Sequence, residues 1–227
     1  MRINVLGSDS KGNGYILQND DEALLIEAGI SFKEAKIALD FNVVKVVGVI
    51  CTHPHFDHIK YIANYENAGI DVWRSWEDSF NIKRLGGFTI QSFDLPHDVP
   101  CKGFLIKHEK IGRMLFITDA VYCPFVFKNL DFIMVEANFD KDLIDTDLLG
   151  SHEYKSISSH MEAETALGLL KANNNPNLKG VMLLHLSDTK ADPVDFKRRA
   201  EEIVDCPVYI ARKGMEVKLN EEMGTGR

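Results

Sequence analysis

Four side chains able to bind a metal fall within six positions of this chain: His53, His55, Asp57 and His58, in Thr52-His53-Pro54-His55-Phe56-Asp57-His58. The chain has eight histidines and three of them stand here, a density that argues for a ligand set rather than a histidine-rich surface loop. Imidazoles with a carboxylate suit zinc, and also manganese or iron. The chemistry such a cluster offers is metal-assisted hydrolysis, in which a cation activates water and polarises the bond under attack. Residues 45–51 (KVVGVIC) read as a buried, β-branched strand that delivers the cluster. Alternate residues of an extended segment share a face, so His53, His55 and Asp57 are expected to point one way. A turn into a following helix would then bring His58 around.

The elements that must hold this cluster follow from the rest of the sequence. Residues 2–6 read as a strand, 8–14 (SDSKGNG) as a polar glycine-rich loop, and 15–18 and 23–26 as a hairpin. Ser31 and Glu34 have the spacing of a capping box that opens a short helix. Residues 88–93, 103–107, 114–118, 130–135 and 180–186 are further strand candidates, with 208–210 and 216–219 closing a sheet edge. Helical spacing appears at 161–171 and 193–204. Strands in two blocks, each followed by helices, predict two sheets packed together with helices outside. With no repeat, low-complexity stretch or linker, residues 1–227 are expected to form a single domain.

Composition narrows the function classes. No stretch approaches the roughly 18 apolar residues of a membrane span, and the N-terminus MRINVLGSDS has no signal-like apolar run. Cys51, Cys101, Cys123 and Cys206 are scattered without a C-x-x-C pair, so reduced thiols and a cytoplasmic setting are expected. The net charge of −8 disfavours a broad grip on long nucleic acid, which needs basic surface to displace counterions.

H-x-H-x-D-H after a strand resembles the signature of the metallo-β-lactamase-fold hydrolases, and the resemblance extends over nearly the whole chain. It implies an α/β fold, a four-layer αββα sandwich of two mixed β-sheets. It also implies further ligands, for which His97 in LPHDVP, Asp119 in FITDA and His185 in LLHLS stand just past apolar strands. By this pattern His53, His55 and His97 hold one divalent ion, and Asp57, His58 and His185 hold a second. Asp119 bridges the two. Zinc is the first expectation, with manganese or iron as alternatives. A hydroxide between the ions is the implied nucleophile, oriented in part by Asp57. His108 and His152 match nothing in the pattern and read as solvated.

The segment LGSDSKGNGY and the strand end LLIEAG are similar to a small nuclease-like branch related to tRNase Z and RNase J. That branch ends its strand in Asp-Ala-Gly, the Asp supporting the metal-binding loop. Here Glu27 stands instead, one methylene longer. Ser158-Ser159-His160-Met161-Glu162 resembles the Gly-His that precedes a helix in the same branch. Ser159 and Glu162 read as a capping box, which puts His160 in a first helical turn. There it would hold a phosphate or protonate a leaving alkoxide. An ordinary first-turn histidine is the competing reading. The interval from Asp119 to His185 leaves no room for the inserted domain of RNase J-type enzymes.

The resemblance therefore implies a dinuclear phosphodiester hydrolase acting on a cyclic or short nucleotide or on a nucleic-acid end. A phage enzyme that destroys a cyclic-nucleotide signal would suit so compact a module. Homodimers occur among such proteins, and one is open here. Two other functions stay in play: a thioester, lactone or β-lactam hydrolase on the same metals, and a non-catalytic, metal-stabilised binding protein.

Overall fold

The computed structural model describes residues 1–144 and 159–219. The first sheet is built from β1 (Arg2–Asp9), β2 (Gly12–Gln18), β3 (Ala23–Ile26), β4 (Val46–Cys51), β5 (Val72–Arg74) and β13 (Glu216–Lys218), in the order β13-β1-β2-β3-β4-β5. The second contains β6 (Ile82–Leu85), β7 (Phe88–Leu95), β8 (Cys101–His108), β9 (Gly112–Ile117), β10 (Phe132–Glu136), β11 (Gly180–Leu184) and β12 (Val208–Ile210). Its order is β12-β11-β10-β9-β8-β7-β6. Both sheets mix parallel and antiparallel pairs. The short edge strands β5 and β6 escape the sequence reading.

Three apolar layers hold the sandwich together. Between the sheets, Tyr15, Leu17, Ile26, Phe88, Phe104, Phe116 and Met134 pack in one buried cluster. Removing each such side chain from water contributes about 1.5–3 kcal/mol. Outside the first sheet, Ile16, Leu25, Val49 and Cys51 meet α1 (Phe32–Ala38), α2 (Phe56–Ile59) and α3 (Ile62–Asn67) through Ala35, Ile59 and Tyr65. Outside the second, Leu115, Val135 and Leu183 meet α4 (Ala163–Asn173) and α5 (Pro193–Glu201) through Ala166, Leu170 and Phe196. The result is the expected four-layer αββα arrangement. Ser31 caps α1 as its spacing predicts, its side chain accepting from Glu34 N–H. None of the described helices is long and apolar enough to cross a membrane.

Two local expectations fail for physical reasons. Ser159 does not cap the following helix. Met161 N–H is taken by the Glu136 carboxylate and Ala163 N–H by the Phe139 carbonyl. Those bonds hold the segment against the end of β10, so α4 starts only at Ala163 with Glu162 as its N-cap. His108 is buried rather than solvated, its Nε2 2.9 Å from Glu22 Oε1 and its ring beside Phe88. His152 lies outside the described residues. All four cysteines are free, Cys51 and Cys101 in the core and Cys123 and Cys206 half-buried.

Candidate metal centre

Topology brings the chemistry to one edge. The C-terminal ends of β3, β4, β7, β9, β10 and β11 deliver Glu27, Thr52-His53, His97, Asp119, Glu136 and His185. The β1–β2 hairpin adds Ser8 and Asn13. This edge is where strand ends free their polar groups from the apolar layers, so it can host ligands without breaking the core.

The cluster segment does not stay extended. His53 and His55 precede α2, and His55 is its N-cap. Asp57 and His58 lie on the helix itself, with the His58 ring 4.1 Å from that of His53. The side chains sort into two groups. One donor atom from each of His53, His55, His97 and Asp119 lies within 4.8 Å of the others, as does one from each of Asp57, His58, Asp119 and His185. Asp119 belongs to both. A third group contains Asp119, Glu136, His160 and His185.

The donor chemistry fits divalent ions. A ligating histidine engages one ring nitrogen with a partner and presents the other to the metal. His53 Nδ1 meets Thr52 Oγ1 at 2.8 Å, while its Nε2 is buried without a hydrogen-bond partner. His97 Nδ1–H donates to the Ser159 carbonyl at 2.9 Å, and its Nε2 lies 3.2 Å from His55 Nδ1. His58 Nδ1 faces Glu27, and its Nε2 lies 3.3 Å from Asp57 Oδ2 and 3.2 Å from Asp119 Oδ2. His185 Nε2 is likewise buried and unpartnered, 3.8 Å from Asp57 Oδ2. Lone pairs and carboxylates converging at these distances, away from water, leave places that a cation would fill.

Supporting contacts run through residues that the sequence reading either questions or misses. Glu27 accepts from Thr52 N–H and from Thr52 Oγ–H at 2.6 Å, and its Oε2 lies 3.4 Å from His58 Nδ1. Asn13 Nδ2–H donates to Asp57 Oδ2 at 3.1 Å. Tyr15 O–H donates to Ser8 Oγ, which accepts His185 N–H at 2.9 Å, so the N-terminal loop pins the last histidine. Glu136 accepts from His160 Nδ1–H at 2.6 Å and from the Ala120 and Met161 backbone N–H groups, both at 3.1 Å. A buried acid ending the apolar run FIMVE carries the same signal as Asp119 and could have been read from the sequence. Asn13 has no such local signature.

Backbone strain concentrates here too. Glu27, Asp119 and His185 adopt left-handed φ values of 67°, 48° and 52°. Such conformations are uncommon for side-chain-bearing residues and persist where surrounding contacts impose them. Gly29 answers a different need: a Cβ there would lie 1.6 Å from the Asp57 carbonyl oxygen. The cluster segment rests directly on this glycine, with Ala28 N–H donating to the His58 carbonyl and Tyr61 N–H to the Ala28 carbonyl.

The electrostatics of the polypeptide alone match this geometry. Burial, with His58 nearby, pushes His53 well below the ordinary imidazole range. Burial also lowers His97. Burial opposes charge on His185, yet Asp119, Asp57 and Glu136 hold its imidazolium up to about 10. Burial likewise opposes charge on Asp119, but His185 and His58 keep it well below the usual carboxylate range. His160 is raised, Glu136 outweighing its burial. These carboxylates demand positive charge beside them, and either protons or cations can supply it.

Comparison with known proteins agrees. The Metallo-beta-lactamase superfamily profile matches residues 7–94. The chain is 26% identical to "Exodeoxyribonuclease YycJ" of Bacillus anthracis, over 63% of this chain and 65% of that protein. It is 24% identical to "Exodeoxyribonuclease WalJ" of Streptococcus pneumoniae, over 82% of this chain and 81% of that one. The metallo-beta-lactamase fold protein YhfI from Bacillus subtilis superposes with a TM-score of 0.72 at 19% identity, over 95% of this chain and 98% of that one. Sheet order, strand-edge histidines and acids, and these likenesses converge on one fold: the chain has the metallo-β-lactamase fold, and its residues 7–94 match that superfamily's profile.

Proposed function

We propose that this chain is a dinuclear-metal-dependent hydrolase of phosphodiester bonds. The observation that carries the reading is Asp119, shared between a His53/His55/His97 group and an Asp57/His58/His185 group, with the His160–Glu136 pair beside it. His53, His55 and His97 would hold one ion, Asp57, His58 and His185 the other, and Asp119 would bridge. Such a pair of cations, zinc before manganese or iron, lowers the pKa of bound water toward neutrality and neutralises phosphate charge.

The chain's own groups would do the rest. Asp57, steadied by Asn13, orients the attacking water by accepting a hydrogen bond from it. His160 has Nδ1–H committed to Glu136, which leaves Nε2 to serve substrate. Its ring lies parallel to His185, at an interplanar angle of 12° and 5.1 Å between centroids, which puts the imidazole beside the metal groups. As an imidazolium it donates a proton to the departing alkoxide. A phosphodiester needs that proton because its leaving group is a poor one. A thioester hydrolase needs it less, because a thiolate leaves unprotonated, and the buried Glu136 holding His160 favours the phosphodiester reading over that one.

The two relatives named as exodeoxyribonucleases support a nucleic-acid end as substrate, and the net charge of −8 supports a short or cyclic nucleotide over the interior of a long duplex. Assay of metal-loaded protein on an aryl phosphodiester, cyclic mononucleotides, end-labelled DNA and RNA, a thioester and a β-lactam separates these. Phosphodiester turnover abolished in His55→Ala is the expected result. Thioester or β-lactam turnover without phosphodiester cleavage would refute the reading.

A further inference from the structure

His55 differs from the other histidines of the centre in what holds its second nitrogen. His53 leans on Thr52, His58 faces Glu27 and His97 donates to the Ser159 carbonyl, and the Thr52 and Glu27 partners are buried. His55 instead reaches outward: its Nε2 lies 3.3 Å from Asp98 Oδ1, on a side chain that is 60% exposed. Its Nδ1 lies 3.2 Å from His97 Nε2, the spacing of two donors turned toward one shared ion. The same Asp98 oxygen is 3.1 Å from His97 Nε2. His97 Nδ1 keeps its proton for Ser159, so in the neutral ring Nε2 bears a lone pair. A carboxylate oxygen against a lone pair is repulsive, and a cation between or beside them turns that contact favourable.

We infer that Asp98 is a positioning residue for the His53/His55/His97 centre. Its carboxylate, 3.3 Å from His55 Nε2, favours the tautomer protonated there, which leaves Nδ1 free for the ion, and its charge adds to the field that holds the ion. Carboxylate–histidine–metal relays are a common way to orient a ligand and raise its basicity. Here the relay comes from the solvent side, one residue beyond the ligand His97, so the affinity of one centre is set from the mouth of the site. The inference rests on the two-centre reading of the proposed function and is independent of the substrate.

Metal-stripped wild type, Asp98→Ala and Asp98→Asn proteins are titrated with zinc against a chromophoric chelator. A parallel titration uses cobalt, read by its visible absorption. Two binding steps are expected in the wild type. Asp98→Ala weakens one step by about 10–100-fold and alters the cobalt spectrum of that step alone. Asp98→Asn, which keeps an acceptor for His55 Nε2–H, recovers part of the loss. Melting of the metal-stripped proteins is expected to coincide, because the Asp98 side chain is mostly exposed. An Asp98→Ala protein that binds both ions as tightly as the wild type overturns this inference and leaves the metal reading standing. A wild type that takes up no ion overturns both.

Discussion

Oε2 of Glu27 lies 3.4 Å from Nδ1 of His58, and both side chains are fully buried. The longer acid therefore reaches the metal-binding segment despite its extra methylene. The left-handed backbone at Glu27 and the two Thr52 donors fix where its carboxylate ends. Glu27→Ala is expected to lower metal affinity by about 10–100-fold. It should also cost about 1–3 kcal/mol of stability, because His58 and Thr52 lose a buried acceptor. Chelator competition and thermal melts check both. Glu27→Asp, with a carboxylate drawn back from His58 Nδ1 by one methylene, should lose affinity with a smaller change in melting.

Two glycines make a matched pair of tests. Gly29→Ala places a methyl group against the Asp57 carbonyl, where a Cβ would lie at 1.6 Å, so the cluster segment must move. A loss of about 3 kcal/mol or more, with metal binding impaired, is expected. Gly168 sits inside α4, and a Cβ added to it would meet nothing within 4 Å. Gly168→Ala should stabilise the protein by about 0.5–1 kcal/mol through helix propensity. Denaturant melts of the two variants should shift in opposite directions.

Metal uptake should release protons. In metal-stripped protein Asp119, Asp57 and Glu136 hold His185 up to about 10 against its burial. This folded value is raised, so its contribution to the stability of the stripped protein is complete below the ordinary imidazole range and fades as pH rises through about 10. A metal displaces the proton, so apparent affinity should climb by up to about tenfold per pH unit for each proton released. Calorimetry in buffers of different ionisation enthalpy measures the release. A binding constant that stays flat between neutral and mildly alkaline pH would contradict the expectation.

His160→Ala is expected to reduce phosphodiester turnover by about 10²–10⁴-fold while zinc content stays at the wild-type level. Glu136→Gln should act in the same direction, since His160 Nδ1–H then loses its 2.6 Å charged acceptor. Substrates with good leaving groups, such as nitrophenyl esters, should suffer least in both variants. An equal loss on good and poor leaving groups would argue against the proton-donor role.

The candidate metal ligands were legible in residue type and order. His53, His97, Asp119 and His185 stand just after the end of an apolar strand, where local pattern suffices to mark them, and the clustering of His53, His55, Asp57 and His58 pointed to the chemistry. Layer order followed for the same reason, from alternation and helical spacing. How those side chains divide was decided by tertiary structure. The turn into α2 at His55 separates Asp57 from His53 and His55, and no periodicity in so short a segment encodes that break. The fold also chose the partners. Asn13 meets Asp57 across 44 positions of chain, Glu136 meets His160 across 24, and Asp98 reaches His55 from a separate loop. Ser159 gave up its predicted cap because Glu136 and Phe139, at and beyond the end of β10, took the free N–H groups first. Ligand type is a property of the residue and its local setting, whereas the group that holds a ligand's second nitrogen is whatever the fold brings within about 3 Å.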